Sequence, residues 1–278
     1  MTISPTNLIP HGPRGYLPSE GEHIYFETFG DPSREAVVFS HGLGGNRVIW
    51  FQQVPEFARH YHVINWDQRG FGRSSATTGK IGPESAAKDL ATILDHLRVD
   101  SAHLIGQSMG GWTSMGFAVK HPGRLRSLVL ADSIAGVYTP AIKQHYAEFI
   151  GKESARGLEG GLAIGQHSAI GDNLRKRDMI RAFLFEQIGA PTRETVQAVR
   201  NVLLNTEYAS RLPQTARFPV LFIVGSEDLV FPPEIIREAA AQVPGSQVVE
   251  IPETGHSPYF EAPNEWNQVV FQFLASVQ

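Results

Sequence analysis

The chain contains no cysteine, which excludes disulfide-stapled folds, thiol nucleophiles and thiolate metal sites. It also has little excess charge: 24 Lys and Arg residues against 28 Asp and Glu residues give a formal net charge of −4. This balance argues against nucleic acid or an anionic membrane as the main partner. No stretch approaches the roughly 20 apolar residues of a membrane span. Because Met1 to Gly15 also lacks the apolar core of a signal peptide, the expected location is the cytoplasm.

Motifs that bind cofactors or metals are missing as well. The glycine-rich stretches that begin at Gly42 and Gly70 both lack the third glycine of the dinucleotide fingerprint. There is no phosphate-binding Gly-Lys-Ser/Thr loop and no His-Glu-x-x-His zinc motif. His60 and His62 lie two residues apart, and the start of a half-exposed strand explains them more simply than a metal site does. We therefore expect no cofactor and no metal.

What the chain does have is an alternation of apolar runs with helix-like stretches along 278 residues. This rhythm predicts one large α/β domain with a mostly parallel, twisted sheet flanked by helices. Residues 1 to about 20 are expected to be an irregular lead-in. The predicted strands are His23–Phe29, Ala36–Ser40, His62–Trp66, Ala102–Gln107, Leu125–Ala131, Val220–Val224 and Gln247–Ile251. The predicted helices outside the central insertion are Trp50–Ala58, Glu84–Leu97, Gly111–Val119, Pro232–Gln242 and Asn264–Leu274.

Ser108 lies in the pentapeptide Gly-Gln-Ser-Met-Gly, between a predicted strand and a predicted helix. In a strand, sharp turn and helix, the serine hydroxyl projects away from the backbone. The absence of side chains at Gly106 and Gly110 allows the turn to form. A serine becomes a good nucleophile only beside a base. The pattern therefore predicts Ser108 as a catalytic nucleophile rather than a simple helix cap.

Two further polar residues follow predicted strands. Asp228 comes after Val220–Val224 and His256 after Gln247–Ile251, and the ends of parallel strands share one edge of a sheet. The order Ser, Asp, His is that of the α/β-hydrolases. His256 is predicted as general base and Asp228 as the acid that orients it, with Asp132 as the alternative acid and Glu227 as a weaker rival.

At these residues the chain resembles the α/β-hydrolase superfamily, from about Tyr25 to Phe273. The segment His-Gly-Leu-Gly-Gly that begins at His41 and the segment Asp-Gln-Arg-Gly-Phe-Gly that begins at Asp67 strengthen the resemblance. The resemblance implies an oxyanion hole formed by the backbone N–H groups of Leu43 and Met109. Members that are dehalogenases or epoxide hydrolases carry an aspartate where this chain has Ser108, so those activities are not expected.

The rhythm of strands breaks between Asp132 and Pro219. Helical spacing over Tyr138–Ile150, Arg175–Ile188 and Thr192–Leu204 predicts a helical cap at 134–214, inserted into a core formed by 1–133 and 215–278. The candidate pocket residues are Trp112, Tyr138 and Tyr259. Other aromatic residues that could line a pocket are Trp50, Phe51, Tyr146, Phe149, Phe183 and Phe185.

The resemblance implies a cofactor-independent serine hydrolase that cleaves a small-molecule carboxylic ester or lactone through an acyl-enzyme. A first alternative is a carbon–carbon bond hydrolase acting on a ring-cleavage dienoate or a similar β-diketone. Ser257 disfavours that alternative, because a tryptophan usually follows the base in such enzymes. A second alternative is a ligand receptor that uses the same fold without catalysis. The sequence does not predict the oligomeric state.

Overall fold

A central sheet of eight strands organises the computed structural model, which describes residues 9–155, 167–189, 193–208, 211 and 218–277. The strand order across the sheet is β1-β2-β4-β3-β5-β6-β7-β8. Strands β3 to β8 run parallel, and β1 and β2 pair antiparallel at one edge. The strands are β1 (His11–Ser19), β2 (Glu22–Phe29), β3 (Ala36–Ser40), β4 (His62–Trp66), β5 (Ala102–Gln107), β6 (Leu125–Ala131), β7 (Val220–Gly225) and β8 (Gln247–Ile251).

The parallel strands are rich in apolar residues because helices cover both faces of the sheet. Neighbouring residues of one strand point to opposite faces, so Val38 belongs to one core cluster while Val37 and Phe39 belong to the other. The seven strands expected from the sequence are present, each within one residue of its predicted bounds.

The expectation of an irregular lead-in is wrong for residues 11–19, which form the edge strand β1. This strand contains Gly12, Pro13, Gly15 and Pro18, a composition that normally weakens a strand. An edge strand tolerates such residues because one of its sides needs no ladder hydrogen bonds. Its register shifts between His11 and Arg14.

Helices on the two faces of the sheet complete the core. One face is covered by α2, α3 and α8, and the other by α1, α9 and α10. These helices are α1 (Val54–Phe57), α2 (Pro83–His96), α3 (Met109–Lys120), α8 (Pro233–Ala241), α9 (Pro258–Glu261) and α10 (Pro263–Ser276). The helix expected over Trp50–Ala58 is instead a 3₁₀ turn at Arg47–Trp50 followed by the short α1.

The segment between β6 and β7 is helical where it is described, with α4 (Pro140–Ala155), α5 (Asp172–Arg177), α6 (Met179–Ile188) and α7 (Arg193–Leu204). The single helix expected over Arg175–Ile188 is wrong. Asp178 interrupts it with φ −148° and ψ 81°, and its side chain caps α6 by accepting the N–H of Arg181. Thr192 and the boundary at 214/215 lie outside the described residues, so the division into core and cap stays a prediction.

Across the described ranges, we find no helix that is both long enough and apolar enough to span a membrane.

Candidate active site

The three predicted catalytic residues follow the carboxyl ends of β5, β7 and β8. Ser108 comes directly after β5, Asp228 comes three residues after β7, and His256 comes five residues after β8. Since these strands are parallel members of one sheet, their ends open on the same edge, where α/β sheets bind ligands.

Ser108 occupies a strained backbone position at the start of α3. Its φ is 46° and its ψ is −116°, a conformation that costs a residue with a side chain about 1–3 kcal/mol. Three hydrogen bonds hold it there. Its N–H donates to the carbonyl of Ala131 at 2.9 Å, and its carbonyl accepts the N–H of Gly111 at 2.9 Å and the hydroxyl of Ser133 at 2.7 Å.

Two glycines make the turn at Ser108 sterically possible. A Cβ atom at Gly106 would overlap the carbonyl of Gly110, and a Cβ atom at Gly110 would overlap the carbonyl of Ser40. Helix α3 can therefore begin directly against β3 and β5. Its first turn points backbone N–H groups towards the edge of the sheet, where they favour negative charge.

His256 and Asp228 are joined by a buried hydrogen bond. Nδ1 of His256 lies 2.8 Å from Oδ2 of Asp228, and the two residues are 4% and 2% exposed. Oδ1 of Asp228 accepts the N–H groups of Val230 at 2.7 Å and Phe231 at 3.0 Å. Both carboxylate oxygens are thereby oriented, and the histidine ring is left with Nε2 for other chemistry.

Asp132, the alternative acid, lies beside this pair but makes a different contact. Its Oδ1 accepts the N–H of Gly225 at 3.0 Å. Burial, followed by the charge of Asp228, raises the pKa of Asp132 well above its ordinary value. Two carboxyl groups this close do not both ionise easily, so Asp132 favours the protonated form. Glu227, the weaker rival, is directed instead to the N–H of Asn173 at 3.5 Å.

The side chains of Asp132, Asp228 and His256 are also close enough together to coordinate one metal ion. One ligand atom from each of Asp132, Asp228 and His256 falls within 4.8 Å of the others. Oδ1 of Asp132, both carboxylate oxygens of Asp228 and Nδ1 of His256 already have protein partners. Among the described residues, Oδ2 of Asp132 has no hydrogen-bond partner. The raised pKa of Asp132 favours its protonated form, which limits the charge repulsion in the cluster without an ion. The absence of a bound metal stays a prediction.

The expected oxyanion donors are Leu43, in the loop after β3, and Met109, the first residue of α3. Leu43 lines the cavity that Ser108 and His256 also line, whereas Met109 is buried at 3% exposure. Within the described ranges, the N–H groups of these two residues have no hydrogen-bond acceptor. Both therefore have a donor to offer.

A buried histidine fixes the loop that carries Leu43. Nδ1 of His41 lies 2.8 Å from the carbonyl oxygen of Gly42, and Nε2 accepts the N–H of Gln68 at 3.0 Å. Nδ1 must then carry the hydrogen. Burial lowers the pKa of His41, which favours this neutral form. The loop is thus braced before any ligand binds.

A cavity of about 120 Å³ lies above Ser108 and His256. Of the three predicted pocket residues, Tyr259 lines it, whereas Trp112 and Tyr138 are not among its lining residues. Trp112 is 1% exposed and packs in the core, and the hydroxyl of Tyr138 donates to the carbonyl of Leu203 at 2.8 Å. Among the other aromatic residues considered, those that line the cavity are Tyr146, Phe149 and Phe185.

Comparison with known proteins identifies the family. Residues 35–263 match the alpha/beta hydrolase fold family. The chain belongs to this family. The predictions of an α/β-hydrolase fold and of an enzyme that is a hydrolase are thereby confirmed.

Among similar proteins of known structure is a thermophilic esterase from Thermogutta terrifontis, solved with malate bound. It is 28% identical, with a TM-score of 0.79, over 96% of this chain and 99% of that one. An enol-lactonase from Burkholderia xenovorans shares the fold with a TM-score of 0.80 at 22% identity, over 94% of this chain and 100% of that one. The 3-oxoadipate enol-lactonase 2 of Acinetobacter baylyi is 35% identical over 121 residues, which is 44% of this chain and 45% of the relative.

Sequence reasoning missed several polar residues of this α/β-hydrolase site. Gln107 donates from Nε2 to the carbonyl of His256 at 2.9 Å. This hydrogen bond links the sharp turn that carries Ser108, here called the elbow, to the loop that carries His256, here called the histidine loop. Its place inside the pentapeptide could have suggested a role. His167, Glu186 and Arg200 also line the cavity, but they come from the segment between β6 and β7, where the sequence carries no motif that marks them.

Proposed function

We propose that this α/β-hydrolase cleaves a small carboxylic ester or lactone through an acyl-enzyme formed on Ser108. The observation that carries the proposal is the 2.8 Å hydrogen bond between His256 and Asp228 at the edge of a cavity that Ser108 also lines. In this proposal Asp228 is the orienting acid, and Asp132 is a protonated neighbour. The segment 134–214 acts as a cap that shapes the pocket, and no cofactor takes part.

The first half of the reaction forms the acyl-enzyme. The Ser108 hydroxyl attacks the carbonyl carbon of the substrate and passes its proton to Nε2 of His256, while Asp228 stabilises the imidazolium through Nδ1. The negative charge on the substrate oxygen is stabilised by the N–H groups of Leu43 and Met109. Removal of one such donor in other enzymes costs about 2.7–4 kcal/mol of the barrier.

The second half releases the acid. The tetrahedral intermediate expels the alcohol, or the enolate end of a lactone, as His256 returns its proton to the leaving oxygen. Water then loses a proton to His256 and attacks the acyl-enzyme, and Ser108 is regenerated. All of these proton transfers use one histidine nitrogen, because Nδ1 stays bonded to Asp228.

The chemistry of related proteins supports an ester or lactone substrate. The Thermogutta terrifontis relative, similar along nearly its whole length, is named an esterase. The Acinetobacter baylyi relative is named an enol-lactonase. Both names describe attack on an ester carbonyl, which is the reaction that a serine, histidine and aspartate arrangement performs.

The test is labelling with a fluorophosphonate probe, followed by intact-mass measurement and assays with p-nitrophenyl esters of several chain lengths. We expect one adduct on the wild type, no adduct on Ser108→Ala and a loss of nearly all turnover in that variant. Ser114→Ala is the matched control, because Ser114 is buried in the same helix and its hydroxyl has no described hydrogen-bond partner. It should label and turn over like the wild type.

The outcomes separate the alternatives. Wild-type turnover in Ser108→Ala would contradict the nucleophile assignment. An adduct without turnover of any ester would keep Ser108 as nucleophile and redirect the substrate towards a narrow lactone or towards carbon–carbon cleavage. No adduct on any variant, together with a ligand-induced thermal shift, would instead favour a receptor.

A further inference from the structure

The segment between β6 and β7 supplies several of the residues that line the cavity. Tyr146 comes from α4, His167 comes from the stretch just before α5, and Arg200 comes from α7. Ser108 and His256 line the same cavity and come from the loops at the edge of the sheet. A substrate bound in this cavity would therefore contact the reacting groups together with polar side chains of this segment.

Arg200 contributes a positively charged side chain to the lining of the cavity. It is partly buried, and within the described ranges its guanidinium makes neither an ion pair nor a hydrogen bond. Partly buried arginines normally pair with a carboxylate, because desolvation of an unpaired charge is costly. The five N–H donors of Arg200 are therefore available to a ligand in the cavity.

Tyr146 places a hydroxyl close to Arg200. The residue is 5% exposed and lines the cavity, and its hydroxyl hydrogen bonds to no described residue. Burial raises the pKa of Tyr146 to about 12, although the charge of Arg200 opposes this effect. The hydroxyl is therefore a neutral donor that faces the same space as the guanidinium.

His167 adds a third donor. Its Nδ1 accepts the N–H of Ala169 at 3.1 Å, so Nε2 carries the hydrogen in the neutral ring. Burial lowers the pKa of His167, and the charge of His256 acts in the same direction. Nε2 of His167 has no acceptor in the described part of the chain.

Glu186 is the acidic residue among those that line the cavity. Its charge and that of Glu153 raise the pKa of His167 against the effect of burial. The guanidinium of Arg200 and the carboxylate of Glu186 are not within ion-pair distance, since no such pair exists among the described residues. Arg200 is thus left to bind an anion that enters from outside.

We propose that Arg200, Tyr146 and His167 bind a carboxylate of the substrate, so that the enzyme acts on esters or lactones that carry a free carboxylate away from the scissile carbonyl. This inference rests on the proposed function of Ser108. A planar guanidinium group and a carboxylate can form two parallel N–H···O hydrogen bonds, a bidentate pair. Since a cavity of about 150 Å³ holds a benzene molecule in another protein, about 120 Å³ leaves room for a short chain of carbons between the two groups.

The test compares two esters that differ only in charge: mono-p-nitrophenyl glutarate, and p-nitrophenyl 5-methylhexanoate, in which an isopropyl group replaces the carboxylate. The measured quantity is the ratio of their kcat/KM values after subtraction of spontaneous hydrolysis. We expect the wild type to prefer the glutarate ester and Arg200→Gln to lower the ratio roughly 10- to 100-fold, as for loss of a charge-assisted hydrogen bond. Tyr146→Phe should lower it several-fold.

Arg14→Gln is the matched control for the change in protein charge. Arg14 is exposed on the edge strand β1 and is not among the residues that line the cavity, so this variant should keep the wild-type ratio. Arg200→Lys should keep more of the preference than Arg200→Gln, since a lysine keeps the positive charge but cannot form the bidentate pair of hydrogen bonds.

Binding measurements keep the inference testable without turnover. Monomethyl glutarate and dimethyl glutarate are titrated calorimetrically into Ser108→Ala and into the Ser108→Ala, Arg200→Gln double variant. Tighter binding of the monomethyl ester that disappears with Arg200→Gln supports the carboxylate subsite, even if no ester is turned over. Equal ratios in wild type and Arg200→Gln, or equal binding of both ligands, overturn the subsite, and turnover of the neutral ester would then leave the proposed hydrolysis intact.

Discussion

Two neighbouring carboxyl groups give the sharpest test of the proposed mechanism, because only one of them contacts His256. Asp228→Asn changes the group that lies 2.8 Å from Nδ1. Oδ1 of Asp228 accepts two backbone N–H groups at 2.7 and 3.0 Å, so the amide oxygen of the variant should take that position. The amide NH₂ group then faces Nδ1 of His256.

This orientation predicts a large loss of activity. A histidine that accepts a hydrogen bond at Nδ1 must carry its hydrogen on Nε2, and Nε2 then cannot take the proton of Ser108. The same change in a serine protease lowers kcat about 10⁴-fold with the geometry intact, which corresponds to about 5 kcal/mol of barrier. We expect a loss of this order for Asp228→Asn.

Asp132→Asn should behave differently. Burial and the charge of Asp228 favour the protonated form of Asp132, so an amide preserves the absence of charge. Its oxygen can still accept the N–H of Gly225. We expect less than about a tenfold change in kcat, or about 1.4 kcal/mol.

The assay is kcat for a p-nitrophenyl ester near neutral pH, with circular dichroism to establish that each variant is folded. A folded Asp132→Asn that loses as much activity as Asp228→Asn would refute the assignment of the acid. Asp132 would then be the orienting residue, as the sequence analysis allowed.

Two further predictions concern the elbow and the histidine loop. Gly110→Ala should destabilise the fold by about 1–3 kcal/mol, because its Cβ atom would overlap the carbonyl of Ser40. Denaturant unfolding measures this, and Gly123→Ala, where a Cβ atom meets nothing within 4 Å, is the control. Burial raises the pKa of Glu261 from its ordinary value near 4.5 to about 7, so the unfolded carboxyl loses its proton at lower pH than the folded one. Stability should therefore fall by up to about 3 kcal/mol between pH 4.5 and 7, and Glu261→Gln should remove that slope in urea titrations. An unchanged slope in Glu261→Gln would contradict the role of this group.

The strands of the sheet were predictable because burial on both faces forces a continuous apolar run. Ala36–Ser40 and the apolar run 128–131 within Leu125–Ala131 stand out in the sequence for this reason, and both strands have the predicted bounds. The edge strand β1 was not predictable in the same way. Its residues face the core on one side at most, and its prolines and glycines are the usual marks of a loop.

The helical segment after β6 was harder to predict, because a helix N-cap can end one helix and start another within a stretch of continuous helical spacing. Arg175–Ile188 has helical spacing throughout, yet Asp178 accepts the N–H of Arg181 and starts a new helix there. An aspartate followed by a helical stretch is a known start signal. The helical spacing of the apolar residues on both sides of Asp178 nevertheless predicted one continuous helix.

The predicted catalytic residues follow from backbone geometry, which short motifs encode well. Gly106 and Gly110 are needed for steric reasons around Ser108, so they mark the position in the sequence. The cavity residues from the segment between β6 and β7, such as His167 and Arg200, depend on how this segment packs above the sheet. Nothing local in the sequence distinguishes them from exposed polar residues of the same segment.

The two parts of the site are nevertheless connected by one carboxylate. Glu261 accepts the N–H of Gly171, just before α5, at 2.9 Å, and the N–H of Gly255, just before His256, at 3.0 Å. Gly171 and Gly255 are packed so closely that a Cβ atom on either would overlap the other's backbone. A shift of the segment that carries His167 should therefore move the loop that carries His256. For this reason we expect substitutions in the helical segment to change kcat as well as KM.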